Sequence, residues 1–269
     1  MTSLSNVGIV ILAAGRGKRM GVSTETPKVL LPLSGKPLLV HLLERIKKSS
    51  VTTTPVIVIA PDLYVIRSTI GAAYEYAIQE SQLGTGNAVL SAREKLRQYD
   101  HILVLYGDHP LLRPHTIDEL VAQHLHSNAE LTFASVKVPN FDGWYSVFSE
   151  FGRLVRDQYG RVVQDVEVKD ADESIRAITE LNPAYYLFQA HWLWAQLPKV
   201  SRQNAQNEYY LTDLFAVALK EGIRVTEVEL KDPTEAIGVN TPEQLAVAET
   251  KIKEQLEEEA GQHTAKLPL

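Results

Sequence analysis

The stretch Val7–Met20, VGIVILAAGRGKRM, runs an apolar block straight into glycines interleaved with bases. An apolar run of this length, closed by glycine, reads as a buried β-strand. Gly15 and Gly17 have no Cβ, so the chain can turn sharply there and bring its backbone close to a ligand. Amide groups exposed in such a turn can hold phosphate oxygens. From Gly15 to Lys36 the chain carries Arg16, Lys18, Arg19, Lys28 and Lys36 against Glu25 alone, a local charge of about +4 by counting. The whole chain carries −6. Positive charge is therefore gathered at the end of one strand of an acidic protein.

Outward from this strand, further apolar runs follow at Pro55–Ala60 (PVIVIA), His101–Tyr106 (HILVLY) and Leu131–Val136 (LTFASV), with amphipathic segments between them. Such alternation predicts a Rossmann-like α/β fold, a mixed, mostly parallel sheet flanked by helices. Helices are expected at 36–49, 85–98 and 114–127. After about Pro139, glycine, aromatic and charged residues break the alternation, which predicts a small β-rich excursion. NPAYYLFQ (182–189) returns to the sheet, and helices are expected within 210–222 and over 242–260, ahead of a frayed tail at 261–269. The reading is one domain over 1–250, with halves of about 1–138 and 139–240, followed by a helix end and flexible tail over 251–269.

Composition narrows the function. At 269 residues, 45% hydrophobic and 22% charged, the chain has the make-up of a soluble globular protein. It has no cysteine, which excludes a disulfide framework, a thiolate metal site and a cysteine nucleophile. Its longest apolar block is too short to span a bilayer, and MTSLSN lacks the basic start of a secretory signal, so a cytoplasmic location is expected. The net negative charge argues against nucleic acid and anionic membranes as partners. Small anionic molecules remain.

The glycine loop is neither of two familiar nucleotide motifs. A Walker loop needs glycine where Leu12 stands and Ser or Thr where Arg19 stands; a dinucleotide fingerprint needs a third glycine where Met20 stands. A glycine pair alone would also suit a strand-to-helix turn with a solvated basic face. The continuation decides between them, since LAAGRGKRM…PKVLLPLSGKPLL resembles the signature of the sugar-nucleotide pyrophosphorylases. These nucleotidyltransferases join a nucleoside triphosphate to a sugar 1-phosphate on a GT-A-like nucleotide-diphospho-sugar transferase fold. The resemblance implies that Leu12, Ala13, Ala14, Gly15 and Gly17 bind the nucleotide, and that Arg19 and Lys28 are catalytic.

QESQLGTGNAV (Gln79–Val89) resembles the base-recognition loop of one branch, the N-acetylglucosamine-1-phosphate uridyltransferases, and implies nucleotide contacts from Gln79, Gln82, Gly84 and Thr85. A primary amide offers a pyrimidine both donor and acceptor. A glycine turn capped by Thr85 would leave the same trace. In LVLYGDHPLL, the resemblance places Tyr106 and Gly107 by the nucleotide and makes Asp108 a metal ligand, with His109 an exposed neighbour. In GVN (238–240), Asn240 is the implied second ligand, although an asparagine there could equally cap the last helix. One carboxylate and one amide oxygen form a sparse set that suits Mg²⁺. For the sugar, the implied residues are Gly152, Glu167 and Asn182. Glu208 and Tyr209 lie in NAQNEYYLTDLFAVA, a stretch similar to the same branch beside its sugar pocket.

The chain also departs from that branch. Lys18 replaces a common threonine, the loop between Met20 and Pro27 is longer, NFDGWYSVFSE (140–150) is inserted before Gly152, and NPAYY replaces Asn-Thr-Gly, removing a glycine near the sugar. The activity implied is the joining of UTP and a sugar 1-phosphate, N-acetylglucosamine 1-phosphate first among them, into a UDP-sugar with release of pyrophosphate. Two alternatives stand beside it: a pyrophosphorylase for another sugar or nucleotide, such as glucose 1-phosphate or dTTP, and a non-catalytic nucleotide-sensing paralogue. The resemblance runs from Val7 to about Glu249. No hexapeptide repeat follows Glu258, so the acetyltransferase activity of two-function members of the branch is not expected.

Overall fold

The structure, a computed structural model, describes residues 6–20 and 26–264. In chain order its elements are β1 (Val7–Leu12), β2 (Pro32–Leu33), β3 (Lys36–Pro37), α1 (Leu38–Lys48), β4 (Val56–Ile59), α2 (Tyr64–Ile70), β5 (Glu75–Ile78), α3 (Thr85–Ser91), α4 (Arg93–Leu96), β6 (His101–Tyr106), α5 (Pro114–Ser127) and β7 (Leu131–Lys137). The second half continues with β8 (Gly152–Arg156), β9 (Val162–Val166), α6 (Glu173–Arg176), β10 (Glu180–Asn182), β11 (Tyr186–Gln189), α7 (Ala190–Gln196), α8 (Asp213–Glu221), β12 (Val225–Leu230) and α9 (Pro242–Thr264). The mixed sheet flanked by helices that the apolar alternation predicts is present.

All six residues of β1 are buried, as a strand covered by helices on both faces requires. It pairs in parallel with β4 on one side and β6 on the other, and the β6 register runs from Val7 opposite His101 to Leu12 opposite Tyr106. The loops after β1 and β6 therefore leave the sheet side by side at its carboxyl edge, where open α/β sheets collect ligands. The sheet order is β5-β4-β1-β6-β11-β7-β10-β8-β9, with β12 on the other side of β7. β11 is antiparallel to both β6 and β7, and antiparallel β10, β8 and β9 extend from the far end of β7. This last trio sets Asn182 opposite Gly152.

Several boundaries differ from the sequence reading. The helix expected from Lys36 starts at Leu38, because Lys36 and Pro37 pair as a strand with Pro32 and Leu33. Ser34 and Gly35 both have positive φ, 45° and 81°, which closes that pair as a tight hairpin of the kind favoured by strand twist. The helix expected over 85–98 breaks at Ala92, whose amide bonds to Val89 and tightens the turn. The excursion after Pro139 opens with a 3-10 helix over Gly143–Phe148, then turns to strand. Its Trp144, Phe148 and Phe151 pack edge to face, so aromatic packing outweighs strand formation there.

This inserted segment fastens α9, since Gln244 Nε2 donates to the Val147 carbonyl at 2.9 Å and the Lys251 ammonium sits 4.9 Å from the Trp144 ring centre. α9 continues through Thr264 where a frayed tail from 261 was expected. The Arg45–Glu259 ion pair and the Gln255 contact to the Leu111 carbonyl anchor its preceding turns, and an anchored helix propagates cheaply by a further turn. Residues 265–269, and the longer loop expected within 21–25, lie outside the described residues.

Candidate active site

A cleft of ≈ 300 Å³ opens at the carboxyl edge of β1 and β6. Leu12, Ala13, Ala14 and Gly15 form one wall. The loop is braced from below: Gln82 Nε2 donates to the Ala14 carbonyl at 2.5 Å, and its Oε1 accepts from Arg16 Nε at 3.2 Å. Arg16 in turn pairs with Asp62 at 2.9 Å. Gln82 lines the cleft but spends its amide on this brace. Gly17 has φ +62°, and a Cβ there would stand 2.7 Å from Lys28 Cβ. It lies behind the lining as the position that lets Lys28 approach. Arg19 is exposed on the short 3-10 turn Lys18–Met20 and is not among the residues that line the cleft.

Three residues far apart in sequence meet on the floor. Lys28 Nζ donates to Asp108 Oδ2 and, at 2.6 Å, to Asn240 Oδ1. Lys28 and Asp108 are buried. Burial alone would raise the Asp108 carboxyl; the Lys28 ammonium reverses this and holds it below the usual carboxylate range. Asn240 can reach the floor because another residue caps α9. Thr241 and Gln244 exchange hydrogen bonds, with Gln244 Oε1 accepting from the Thr241 amide at 3.1 Å and Thr241 Oγ1 accepting from the Gln244 amide at 3.3 Å. This is a capping box, and it leaves the Asn240 side chain free of cap duty.

His109 is not the exposed neighbour that the sequence suggested; it is buried. Tyr185 donates its hydroxyl to the Glu235 carbonyl at 2.7 Å, so its oxygen accepts from His109 Nδ1 at 2.8 Å. Burial keeps the ring neutral by lowering its pKa. A Cβ on Gly238 would lie 2.5 Å from His109 Nε2, so Gly238 is where the ring and the 238–240 turn touch. The Val239 amide donates to the Asp108 carbonyl at 2.9 Å, which ties the turn to the loop after β6. Gly107 belongs to that loop, where its amide bonds to Leu12 and continues the β1–β6 pairing.

At the other end of the cleft, Gln79 is buried and donates through Nε2 to the Gly84 carbonyl and to Asn87 Oδ1. Gly84 has φ +107°, and a Cβ there would lie 2.6 Å from the Tyr209 carbonyl oxygen. Both features require glycine. Thr85 does not cap α3. Its hydroxyl accepts from the Leu211 amide at 3.0 Å, so the 79–89 loop and the 208–211 segment are stitched together. Glu208 joins the lining, Tyr209 supplies backbone, and Val29 and Ala88 are lining residues that the motif reading missed. Both are ordinary apolar positions with no signal in sequence.

Gly152, Glu167 and Asn182 are absent from the cleft lining but gather beside it. Burial, then the charges of Glu167, Asp108 and Asp165, pushes the Tyr106 phenol well up, so Tyr106 stands between the floor and this second corner. Glu167 accepts from Thr212 Oγ1 at 3.0 Å, and burial raises its carboxyl. Asp165, unforeseen in the sequence, accepts from both Asn182 and Tyr186. Ala184 takes φ +63°, the left-handed conformation that favours glycine, and its amide is held by Asn182 Oδ1 at 2.7 Å. Among the described residues, no group of three or more His, Asp or Glu gathers as a metal cage.

A cleft between a glycine loop and a lysine, at the carboxyl edge of the sheet, agrees with a family match over residues 9–207 to the MobA-like NTP transferase domain. The chain belongs to this nucleotidyltransferase family. It is 36% identical to the bifunctional protein GlmU of Brevibacillus brevis over 94% of this chain and 53% of that protein. With GlmU of Ralstonia pickettii it shares 41% identity over 90% of this chain and 51% of the relative. The chain thus spans about half the length of the curated relatives it matches. Among solved structures, a putative glucose-1-phosphate thymidylyltransferase from Bacillus anthracis superposes with a TM-score of 0.70 at 18% identity, covering 91% of this chain and 94% of that one. A CMP:2-keto-3-deoxy-manno-octonic acid synthetase complexed with CTP gives 0.64 at 17%, covering 93% and 100%. At these identities the two structures show the fold alone. No helix among the described residues is long and apolar enough to cross a membrane.

Proposed function

We propose that this NTP transferase joins UTP to a sugar 1-phosphate, with N-acetylglucosamine 1-phosphate the first substrate to try, giving a UDP-sugar and pyrophosphate. The observation that carries the reading is the meeting of Lys28, Asp108 and Asn240 under the glycine loop, with Lys28 Nζ 2.6 Å from Asn240 Oδ1. A module that only sensed nucleotide would have little use for a buried cation held between two oxygens.

In this reaction an oxygen of the sugar phosphate attacks the α-phosphorus in line, and the bond to the β-phosphate breaks. Such chemistry relies on positioning and charge stabilisation more than on a covalent nucleophile. The backbone of Leu12–Gly15 and Gly17 cradles the triphosphate. Arg19, exposed two residues after Gly17, reaches its outer phosphates, and Lys28 turns its ammonium onto the α-phosphoryl oxygens as charge develops there. Gln79 has committed its N–H groups within the chain, so its Oε1 is the atom that meets the base, beside Gln82, Gly84, Thr85, Tyr106 and Gly107. Gly152, Glu167 and Asn182 form the sugar corner. The attacking phosphate is already ionised near neutral pH, and no general base is needed.

Asp108 and Asn240 fit a hard divalent cation, since their oxygens converge on one positive atom, the Lys28 ammonium. We assign them as the holders of Mg²⁺, which when bound supplies charge neutralisation for the phosphates. The partners are small molecules.

Pyrophosphate release from UTP with N-acetylglucosamine 1-phosphate tests the assignment. Glucose 1-phosphate and dTTP in the same panel test the neighbouring reading that Ala184, in place of the usual glycine, has moved the enzyme to another sugar. Absence of release with every sugar 1-phosphate and nucleotide in the panel would end both.

A further inference from the structure

The sugar corner contains a closed hydrogen-bond ring that motif matching does not reveal. Asn182 Nδ2 donates to Asp165 Oδ2 and to the Tyr186 hydroxyl oxygen, and the Tyr186 hydroxyl donates to Asp165 Oδ2 at 3.1 Å. Asn182 Oδ1 accepts from the Ala184 amide at 2.7 Å, a backbone contact that holds the side-chain amide only in combination with its two N–H bonds. Both amide hydrogens of Asn182 are thus spent inside the chain. A carbonyl oxygen has a second lone pair, and this is the hydrogen-bonding capacity that Asn182 retains. Asp165 Oδ1 is buried without a partner, and a Cβ on Gly152 would lie 2.9 Å from it, so Asp165 also packs against a second residue assigned to the sugar.

We propose that Asp165 is the positioning residue of the sugar corner, locking the Asn182 amide so that Asn182 reads a hydrogen-bond donor, an O–H or amide N–H, on the incoming sugar. This rests on the transferase reading above. Without the Asp165 acceptor, the amide loses its fixed orientation and turns its N–H groups toward the pocket, where they oppose the sugar's own donor. Tyr186 serves the same lock, because its hydroxyl bridges the amide and the carboxyl. Burial, then the neighbouring Glu167 charge, pushes Asp165 up to about 8, so its carboxyl is neutral at pH 7. An asparagine at this position keeps the same carbonyl acceptor for both donors.

The experiment is steady-state kinetics of the full chain with UTP and its best sugar 1-phosphate, comparing Asp165→Leu, Asp165→Asn and Tyr186→Phe. Asp165→Leu is expected to raise the KM for the sugar phosphate by about tenfold, the worth of one well-made hydrogen bond, with the KM for UTP within about twofold. Asp165→Asn stays within about threefold of wild type, because the acceptor survives. If Asp165→Leu does not fold, Tyr186→Phe carries the test: it removes one hydroxyl and raises the sugar KM alone. An unchanged sugar KM in folded Asp165→Leu or in Tyr186→Phe, an equal rise in both KM values, or an Asp165→Asn variant as impaired as Asp165→Leu would overturn the proposal. A wild-type chain that releases no pyrophosphate with any sugar 1-phosphate would instead sink the transferase reading itself.

Discussion

Gly17 and Lys28 are packed against each other so closely that a Cβ on the glycine would stand 2.7 Å from the Cβ of the lysine. Gly17 also holds φ +62°, which costs a residue with a side chain on the order of 1–2 kcal/mol. Gly17→Ala should therefore strain the loop and displace Lys28 together. Turnover is expected to fall on the order of tenfold to a hundredfold, as misplaced catalytic groups do. Wild-type turnover in Gly17→Ala would contradict the coupling.

Lys28→Met removes the one cation that the structure places on Asp108 and Asn240. A buried carboxylate left without its partner costs roughly 3–5 kcal/mol. If these two oxygens form a seat for a divalent ion, added Mg²⁺ should raise the melting temperature of Lys28→Met more than that of wild type, because ligands that bind the folded state stabilise it. An equal rise in both proteins would count against the seat.

Ala184 adopts the left-handed conformation without the freedom of glycine. Ala184→Gly should stabilise the chain by up to about 1 kcal/mol, the strain relieved exceeding the added entropy of the unfolded chain. Chemical denaturation measures this, and a loss of stability would show that the turn carries no strain.

His124 is fully buried, with Nδ1 2.8 Å from Thr132 Oγ1 and Nε2 3.0 Å from His101 Nδ1. Burial, with His101 beside it, lowers its pKa from 6.5 to about 3. Between these values the unfolded chain takes up a proton that the folded chain refuses. Stability is then lost as pH falls below 6.5, by up to about 1.4 kcal/mol per unit for this group. His41, His101 and His109 are lowered too and act with the same sign. Asp165 acts oppositely: raised to about 8, it is neutral in the fold and ionised in the unfolded chain, so its contribution fades as pH rises from 3.8 toward 8. His124→Gln should flatten the acid limb in denaturation experiments between pH 6.5 and about 4.5. An unaltered slope would contradict this.

The parts of the fold legible in sequence were those with a strong local pattern. β1 and most of β6 are continuous apolar runs, β7 is largely apolar, and α5 has a proline at its start and ends at Asn128 in the left-handed conformation. β5, β12 and α7 carry weaker patterns, and the sequence reading did not assign them. The glycine-lined parts of the candidate site were legible because glycines leave a trace: Gly17 and Gly84 are needed for positive φ and for close backbone contact. The burial of His109 was hidden, since its partners Tyr185 and Gly238 lie far along the chain. The ring at Asp165 was hidden for the same reason. Its three members come from β9, β10 and β11, and strand pairing alone brings them together. The sequence leaves Asn240 open between cap and ligand; in the fold Thr241 carries the cap.

In the proposed reaction the Lys28 ammonium, gathered with Asp108 and Asn240 beneath the glycine loop, drives transfer of a uridylyl group. The most direct test is pyrophosphate release from UTP, Mg²⁺ and N-acetylglucosamine 1-phosphate by wild type and by Lys28→Ala, with folding of the variant checked by circular dichroism in the same buffer. Steady release is expected from wild type, with a loss on the order of a hundredfold or more in the folded variant, as for removal of a group that stabilises developing charge. Near-normal release by Lys28→Ala would contradict it.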